Sequence, residues 1–305
     1  MSTVKTKVNK ARVIAFLEKN FDKDISNFEF IKGGESSQAF SFKSKGSNYV
    51  IRVLKQNKIC FTKDKFAYDN FSSYDIPIPK IHKIGNFDGY QYAISDRVPG
   101  KTHEKLNENQ VRQLIPNIIK VLDNIHSVNV AGRQGFGDWN KAGVGKYNNL
   151  EAAILDYFVR EENKWAKVYK DTCFERFLFD KVRKRVEKLV KYVNHGKYLV
   201  HADFGFSNML SDGLEITGVI DWEQSMYGDF LYDVAWLEFW SLNIGYAKIF
   251  KDHYKKTNIN INNWNERMLC YILWLSIGSI GFFAESGQEE SYKWTRERML
   301  SYLES

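Results

Sequence analysis

Residues 200–224 read VHADFGFSNMLSDGLEITGVIDWEQ. Two apolar runs, KYLV ending at Val200 and ITGVI ending at Ile220, have the character of short strands, and each delivers polar residues as it ends. Asp203, Asn208, Asp221 and Glu223 stand out in that setting, because a carboxylate rarely enters an apolar environment unpaired. Asn208 follows Asp203 by five residues, and Asp221 follows Asn208 by thirteen. Asp203, on the loop after the first run, can accept a proton from a substrate hydroxyl. Asn208 offers a neutral oxygen ligand and Asp221 an anionic one. Oxygen ligands without a thiolate suit a hard cation such as Mg²⁺. One base beside two hard-metal ligands is the apparatus of phosphoryl transfer, where positioning and charge neutralisation supply most of the catalysis.

The spacing sharpens this reading. H-x-D-x-x-x-x-N with a further Asp thirteen residues on is the spacing of the protein-kinase catalytic loop and its metal-binding aspartate. HADFGFSN stands where H-R-D-x-x-x-x-N would, and IDW where D-F-G would. The arginine after the histidine is absent and no A-P-E segment follows, so control by activation-loop phosphorylation is not expected.

Upstream, FEFI (28–31), QAFSFKS (38–44) and NYVIRVL (48–54) alternate and are separated by the glycine turns KGGESS and KGS, which predicts an antiparallel meander. A helix is expected over 7–20, another over TKDKFAYDNFSSY, and two more strands at IHKIG and YQYAIS. After DRVPGKT the character changes. Val111, Leu114, Ile115, Ile118, Ile119, Leu122 and Ile125 recur at helical spacing, with a kink expected at Pro116. Helices are expected over 150–170, 174–194, 229–242, 245–257, 264–285 and 288–303, with the opening stretch as the only strand material in this half. The fold class is therefore α+β: a small antiparallel β-rich N-terminal lobe, 1–97, and a large, mainly helical C-terminal lobe, 98–305.

The bulk numbers agree with a folded chain. With 305 residues, 44% hydrophobic and 15% aromatic, it can bury a sizeable core. Its net charge of +7 raises nucleic acid as a partner. The main basic stretch, 180–197, carries Val182, Val186, Leu189, Val190 and Val193 on one face, however, and reads as an amphipathic surface helix. No nucleic-acid partner is expected. The cysteines, Cys60, Cys173 and Cys270, lack C-x-x-C spacing, which fits a reducing cytoplasm. The uncharged run 268–284 is at the short limit for a membrane span and is read as a buried helix, with no membrane partner.

The stretch VHADFGFSN…VIDWEQSMYGDFLYDVA resembles the aminoglycoside phosphotransferase family, and the resemblance runs from about residue 10 to about 300. It takes in GGESSQAFSF, YVIRV, FTKDKFAYDNF, IPIPKI and AISDRVPG. It implies a two-lobed, protein-kinase-like fold and phosphorylation of a small-molecule hydroxyl by a nucleoside triphosphate. Asp203 matches the catalytic base, Asn208 and Asp221 the metal ligands, and His201 the motif histidine that braces the loop. Arg52 stands where many members have a phosphate-pairing lysine, and Asp64 at the position of its acidic partner. Gly33, Gly34, Ser36 and Ser37 match the nucleotide-facing turn. Ser95 and Arg97 match the positions whose backbone meets adenine, with Ile94 at the back of the base pocket. Asp229 and Asp233 are read as structural, Asp233 as a brace of the catalytic loop. His126 is read as a core histidine, and Trp236, Trp240, Trp264, Trp274 and Trp294 as core.

The resemblance implies ATP and Mg²⁺ as cofactors, with GTP left open, and a monomer. It implies an aminoglycoside or aminocyclitol antibiotic of hygromycin type as acceptor, with resistance as the outcome. Such polycations need carboxylates, for which Glu223, Glu161, Glu162, Glu238 and Glu285 are the candidates. The positive net charge counts against a polycation at long range, although salt screens it beyond about 8 Å. Two alternatives stand beside this reading: a kinase of another hydroxyl compound, such as an amino alcohol, sugar or macrolide, and a nucleotide-binding sensor without catalysis.

Overall fold

The computed structural model describes residues 6–33, 37–55, 61–160, 162–205 and 207–304. Gly34, Ser36, Cys60 and Glu161 lie outside the described residues, as does the side chain of Glu162. Helix α1, Lys10–Asn20, opens on Asn9, whose side chain accepts the Ala11 N–H at 2.9 Å. Strands β1 (Ser26–Ile31), β2 (Gln38–Ser44), β3 (Ser47–Lys55), β4 (Ile81–Phe87) and β5 (Tyr90–Asp96) form one antiparallel sheet in the order β1-β2-β3-β5-β4. The expected meander is thus present, with α2, Thr62–Phe71, between β3 and β4. Two hairpins are closed by residue pairs with positive φ, Lys45-Gly46 (48° and 80°) and Asp88-Gly89 (48° and 80°). Those angles match the twist of the flanking strands, which is why glycine stands second in each.

Pairing fixes the two faces of this sheet. Ile51 lies opposite Ile94, and Arg52 opposite Ala93. One face, with Phe40, Ile51, Val53 and Ile94, packs on Val13 and Leu17 of α1. The other carries Arg52, Leu54 and Ala93, with Leu54 and Ala93 packed on Phe61.

The rest of the chain is mainly helical. Strand β6 (Lys101–Thr102) precedes α3 (Glu108–His126), which is continuous through Pro116. Then come β7 (Phe136–Trp139), β8 (Gly145–Tyr147), α4 (Leu150–Arg160), α5 (Glu162–Asp171), α6 (Arg176–Leu189), β9 (Tyr198–Val200), β10 (Met209–Ser211), β11 (Ile216–Val219) and β12 (Met226–Gly228). Four helices end the chain: α7 (Leu231–Trp240), α8 (Tyr246–Lys256), α9 (Trp264–Ser286) and α10 (Glu289–Leu303). Two expectations need correction. The single helix over 150–170 is two elements, α4 and α5. The opening stretch is not the only strand material in this half, since β6, β7, β8 and β12 are strands as well. Each spans two to four residues, too short to show alternation, and each exists through its partners: β12 is held between β7 and β9, and β10 between β11 and β6.

By contacts the chain forms two compact units. One comprises Met1–Ser2, Leu122–Gly205 and Gln224–Ser305, the other Thr3–Val121 and Phe206–Glu223. In the first, α9 is long and apolar enough to cross a membrane, with a mean hydropathy of 1.6 over its most apolar window, 61% of which is buried. It packs against α6, α7 and α10. At its foot, Arg267 donates to both oxygens of the buried Asp229 at 2.8 and 2.7 Å, and the Tyr271 hydroxyl donates to the same carboxylate at 2.6 Å. Gly281 passes directly against the Trp165 ring, which is buried among Phe174 and Phe179.

A methyl group at Gly281 overlaps that ring. We expect Gly281→Ala to destabilise the protein by about 1–3 kcal/mol despite alanine's better helix propensity. A lower urea midpoint at unchanged slope is the expected result. A midpoint equal to or above that of the wild type contradicts the contact.

Candidate active site

The loop that carries Asp203 is held by a buried carboxylate. Asp233, in the first turn of α7, accepts the backbone N–H of His201 at 3.0 Å on Oδ2 and that of Ala202 at 2.8 Å on Oδ1. His126, at the end of α3, meets the same Oδ2 through Nε2 at 3.0 Å. This is the bracing role expected of Asp233, and His126 is the core histidine expected. Ala202 is forced to a φ of 63° between these anchors. Such a conformation in a residue with a Cβ is strained, and persists only where its surroundings over-determine it. The Asp203 N–H donates to His201 Nδ1 at 3.3 Å, so the fully buried His201 imidazole acts as an acceptor for its own loop. Asp203 itself is half-buried. Tyr232 is beside it: burial first, then Asp233, Tyr157 and Asp203, push its hydroxyl pKa far up, so it stays protonated. The aromatic spacing of α7 reads simply as core, and nothing in the sequence marks Tyr232 or Tyr157.

The second cluster lies in the other unit. Arg52 of β3 forms an ion pair with Asp64 in the first turn of α2, and its guanidinium lies 4.8 Å from the Phe61 ring centroid. Asp64 Oδ1 accepts the Trp222 N–H at 2.8 Å, which ties α2 to the residue after Asp221. The pairing that the sequence suggests is therefore present. Burial opposes the Arg52 charge, but Asp64, Asp221 and Glu223 more than offset it and hold its pKa up. Asp221 is strained at a φ of 63°. Burial and the nearby Asp64 raise its pKa, against the opposite pull of Arg52. Asn208 is buried beside it: its carbonyl accepts the Ile220 N–H at 2.9 Å, continuing the β10–β11 ladder.

The residues present fit Mg²⁺. Asn208 and Asp221 offer the oxygen donors that Mg²⁺ takes, and burial with the nearby Asp64 disfavours charge on Asp221, which a bound cation would relieve. Among the described residues, no three His, Cys, Asp or Glu side chains gather into a metal cage. A cation held by Asn208 and Asp221 would complete its shell with water and phosphate oxygens, as Mg²⁺ does.

Ile94 does not share a face with Arg52. It is buried on the α1 face, and one step along the pleat reverses the direction of a side chain, so Ala93 and Ser95 are the residues on Arg52's side. The Arg97 N–H is committed to the Asn48 carbonyl at 3.0 Å and is not open to a base. Gly33 has a φ of 135°, and Ser37, just before β2, is half-buried. Glu238 accepts the Ala247 N–H at 2.8 Å and so caps α8, a structural task. Glu285 is half-buried in the last turn of α9. Glu223 bears on Arg52 electrostatically, which sets it beside the ion-pair cluster.

The model of the phosphotransferase enzyme family matches residues 27–266. The chain belongs to this family. It is similar to hygromycin-B 4-O-kinase of Escherichia coli, with 33% identity over 242 residues, covering 77% of this chain and 68% of that protein. A thermostable mutant of the aminoglycoside phosphotransferase APH(4)-Ia, solved as a ternary complex with AMP-PNP and hygromycin B, superposes with a TM-score of 0.83 at 28% identity over 96% of this chain and 98% of that one. Choline kinase LicA from Streptococcus pneumoniae shares the fold, with a TM-score of 0.65 at 14% identity over 96% of this chain and 98% of that one. The chain is thus a phosphotransferase with a kinase-like fold, as the resemblance implied.

If Asp233 holds the catalytic loop of this phosphotransferase, Asp233→Asn turns one acceptor into a donor facing N–H groups. We expect turnover to fall at least tenfold with nucleotide affinity nearly unchanged, and stability to fall by about 1–3 kcal/mol for the unpaired buried groups. Activity assays with calorimetric titration of a nucleotide analogue measure both; wild-type turnover in a folded variant contradicts the bracing role.

Proposed function

We propose that this phosphotransferase is an ATP-dependent, Mg²⁺-requiring kinase of an aminoglycoside antibiotic of hygromycin type, acting as a cytoplasmic monomer. The observation that carries the chemistry is the Asp203 loop: a half-buried carboxylate on a backbone whose neighbouring N–H groups are tied to Asp233. A carboxylate presented rigidly and still reachable is what a base for an acceptor hydroxyl requires. The likeness to hygromycin-B 4-O-kinase supports the acceptor, and the nucleotide complex of APH(4)-Ia supports the donor.

In this reading Asp203 orients the acceptor hydroxyl and takes its proton. Asn208 and Asp221 hold the cation, which supplies charge neutralisation at the phosphates when bound. Arg52, oriented by Asp64 and Phe61, binds phosphate oxygens bidentately, as a guanidinium does better than an ammonium. Gly33 and Ser37 face the nucleotide, and Ser95 lies toward the base. Glu223 tunes Arg52 instead of meeting the acceptor. Residues 1–97 serve as the nucleotide lobe and 98–305 as the acceptor lobe, with phosphorylation of the drug as the route to resistance.

The test separates base from metal ligand. Asp203→Asn is expected to lose on the order of 10²–10⁴ in turnover of hygromycin B while binding an ATP analogue as the wild type does.

Asp221→Ala is expected to lose the Mg²⁺-dependent part of nucleotide affinity. Calorimetric titration with and without Mg²⁺ reads it. Equal affinities with Mg²⁺ present would sink the metal role, and more than about half of wild-type turnover in Asp203→Asn would sink the base.

A further inference from the structure

Helix α6 and the 3-10 turn Val190–Tyr192 that continues it carry the main basic stretch of the chain. Val182, Val186 and Leu189 are buried, as the sequence predicts, so the opposite side of the helix faces solvent. On that side Lys181, Lys184, Lys188 and Lys191 are exposed, at intervals of three, four and three residues. Such spacing sets them in one row along the helix. Phe177, one turn before Lys181, continues the row and is 75% exposed. At the other end Tyr192 is half-buried, with the Lys191 ammonium 5.0 Å from its ring centroid.

The acids of α6 do not serve this row. Asp180 lies 3.8 Å from Arg176, and Glu187 accepts from Arg183 at 2.9 Å, both on the flank beside it. Lys181 has Glu304 at 4.0 Å, and among the described residues Lys184 and Lys188 form no ion pair. Elsewhere the chain places an acid four residues from its surface cations, as in Lys65 with Asp69, Arg112 with Glu108 and Lys248 with Asp252. Like charges three and four residues apart destabilise a helix. A bound polyanion would relieve that repulsion.

The surroundings of the row choose among polyanions. The apolar face of α6 is spent on the core, so little remains to insert into a lipid surface. A cationic row with aromatic rings at its ends suits single-stranded nucleic acid, whose phosphates follow the charges and whose bases stack on the rings. From Phe177 to Lys191 the helix rises about 20 Å, room for a few nucleotides. No nucleic-acid motif accompanies this helix, which is why the sequence predicts no such partner, but contacts to phosphates need none. We infer that the outer face of α6 is a docking surface for single-stranded nucleic acid, with the four lysines on phosphates and Phe177 against a base. The inference is independent of the acceptor proposed for the kinase reaction.

Fluorescence anisotropy of short labelled oligo(U) and oligo(dT) tests it, and the tighter of the two identifies the sugar. Affinity should fall with salt at a log–log slope of about −2 to −3, as three to four phosphate contacts require. Lys184→Glu/Lys188→Glu should weaken binding at least about tenfold. Lys251→Glu/Lys255→Glu makes the same change in net charge on the exposed side of α8 and should weaken it less than about threefold. Phe177→Ala should weaken oligonucleotide binding about fivefold or more and leave inorganic polyphosphate binding unmoved. Each variant should keep the wild-type far-ultraviolet circular dichroism. No binding at about 50 mM salt overturns the surface, as does equal weakening by the α8 variant, which would reduce the effect to net charge. An oligonucleotide affinity untouched by Phe177→Ala overturns the single-strand assignment, and so does tighter, Lys184- and Lys188-dependent binding to phosphatidylserine vesicles.

Discussion

A buried carboxylate must be paired, and this chain uses that requirement to hold the loops that carry Asp203 and Asp221. Asp64 and Asp233 each stand in the first turn of a helix and accept backbone N–H groups from a loop of the quoted stretch. Asp233 takes the two residues before Asp203, and Asp64 takes the residue after Asp221. Each held segment contains a residue with a Cβ at a φ of 63°, Ala202 and Asp221. The strain of such a conformation is of order 1–2 kcal/mol, comparable with one charge-assisted hydrogen bond. Removing the carboxylate therefore frees the loop to relax, and the functional geometry is lost before the fold is.

The same economy of partners appears at Asp229, which takes Arg267, Tyr271 and the Leu231 N–H. A buried ion pair of this kind is weak evidence for net stability, since desolvation cancels much of the attraction. Its value lies in specificity: it fixes the foot of α9, an otherwise apolar helix that has few polar contacts to set its position. Around Arg52 the balance differs. Three acids bear on the guanidinium and hold its pKa up against burial, so its charge is kept by its neighbours.

How much of this was legible in advance depends on the range of the signal. The meander, its glycine turns and most of the helices follow from local periodicity and turn chemistry. Asp203, Asn208 and Asp221 stand out in the sequence because their spacing is short and their residue types carry charge or oxygen donors. Ile94, expected at the back of a base pocket, is on the α1 face of the sheet, and a strand buried on both sides has no alternation to tell its faces apart. Strands β7, β8 and β12 carry too few residues to signal themselves. Trp240 and Trp294 look like any other core tryptophan until packing leaves them half open.

By itself the sequence determined the family, the phosphotransferase chemistry and the identity of the residues that carry charge, since these depend on residue type and short spacing. Only the tertiary structure decided which acids are spent on holding the fold. Glu238 caps a helix, and Asp64 ties two elements together. The physical reason is that a carboxylate's role is set by the donors that reach it. Those donors come from segments 9 residues away for Glu238 and 158 residues away for Asp64, and no local pattern reports them.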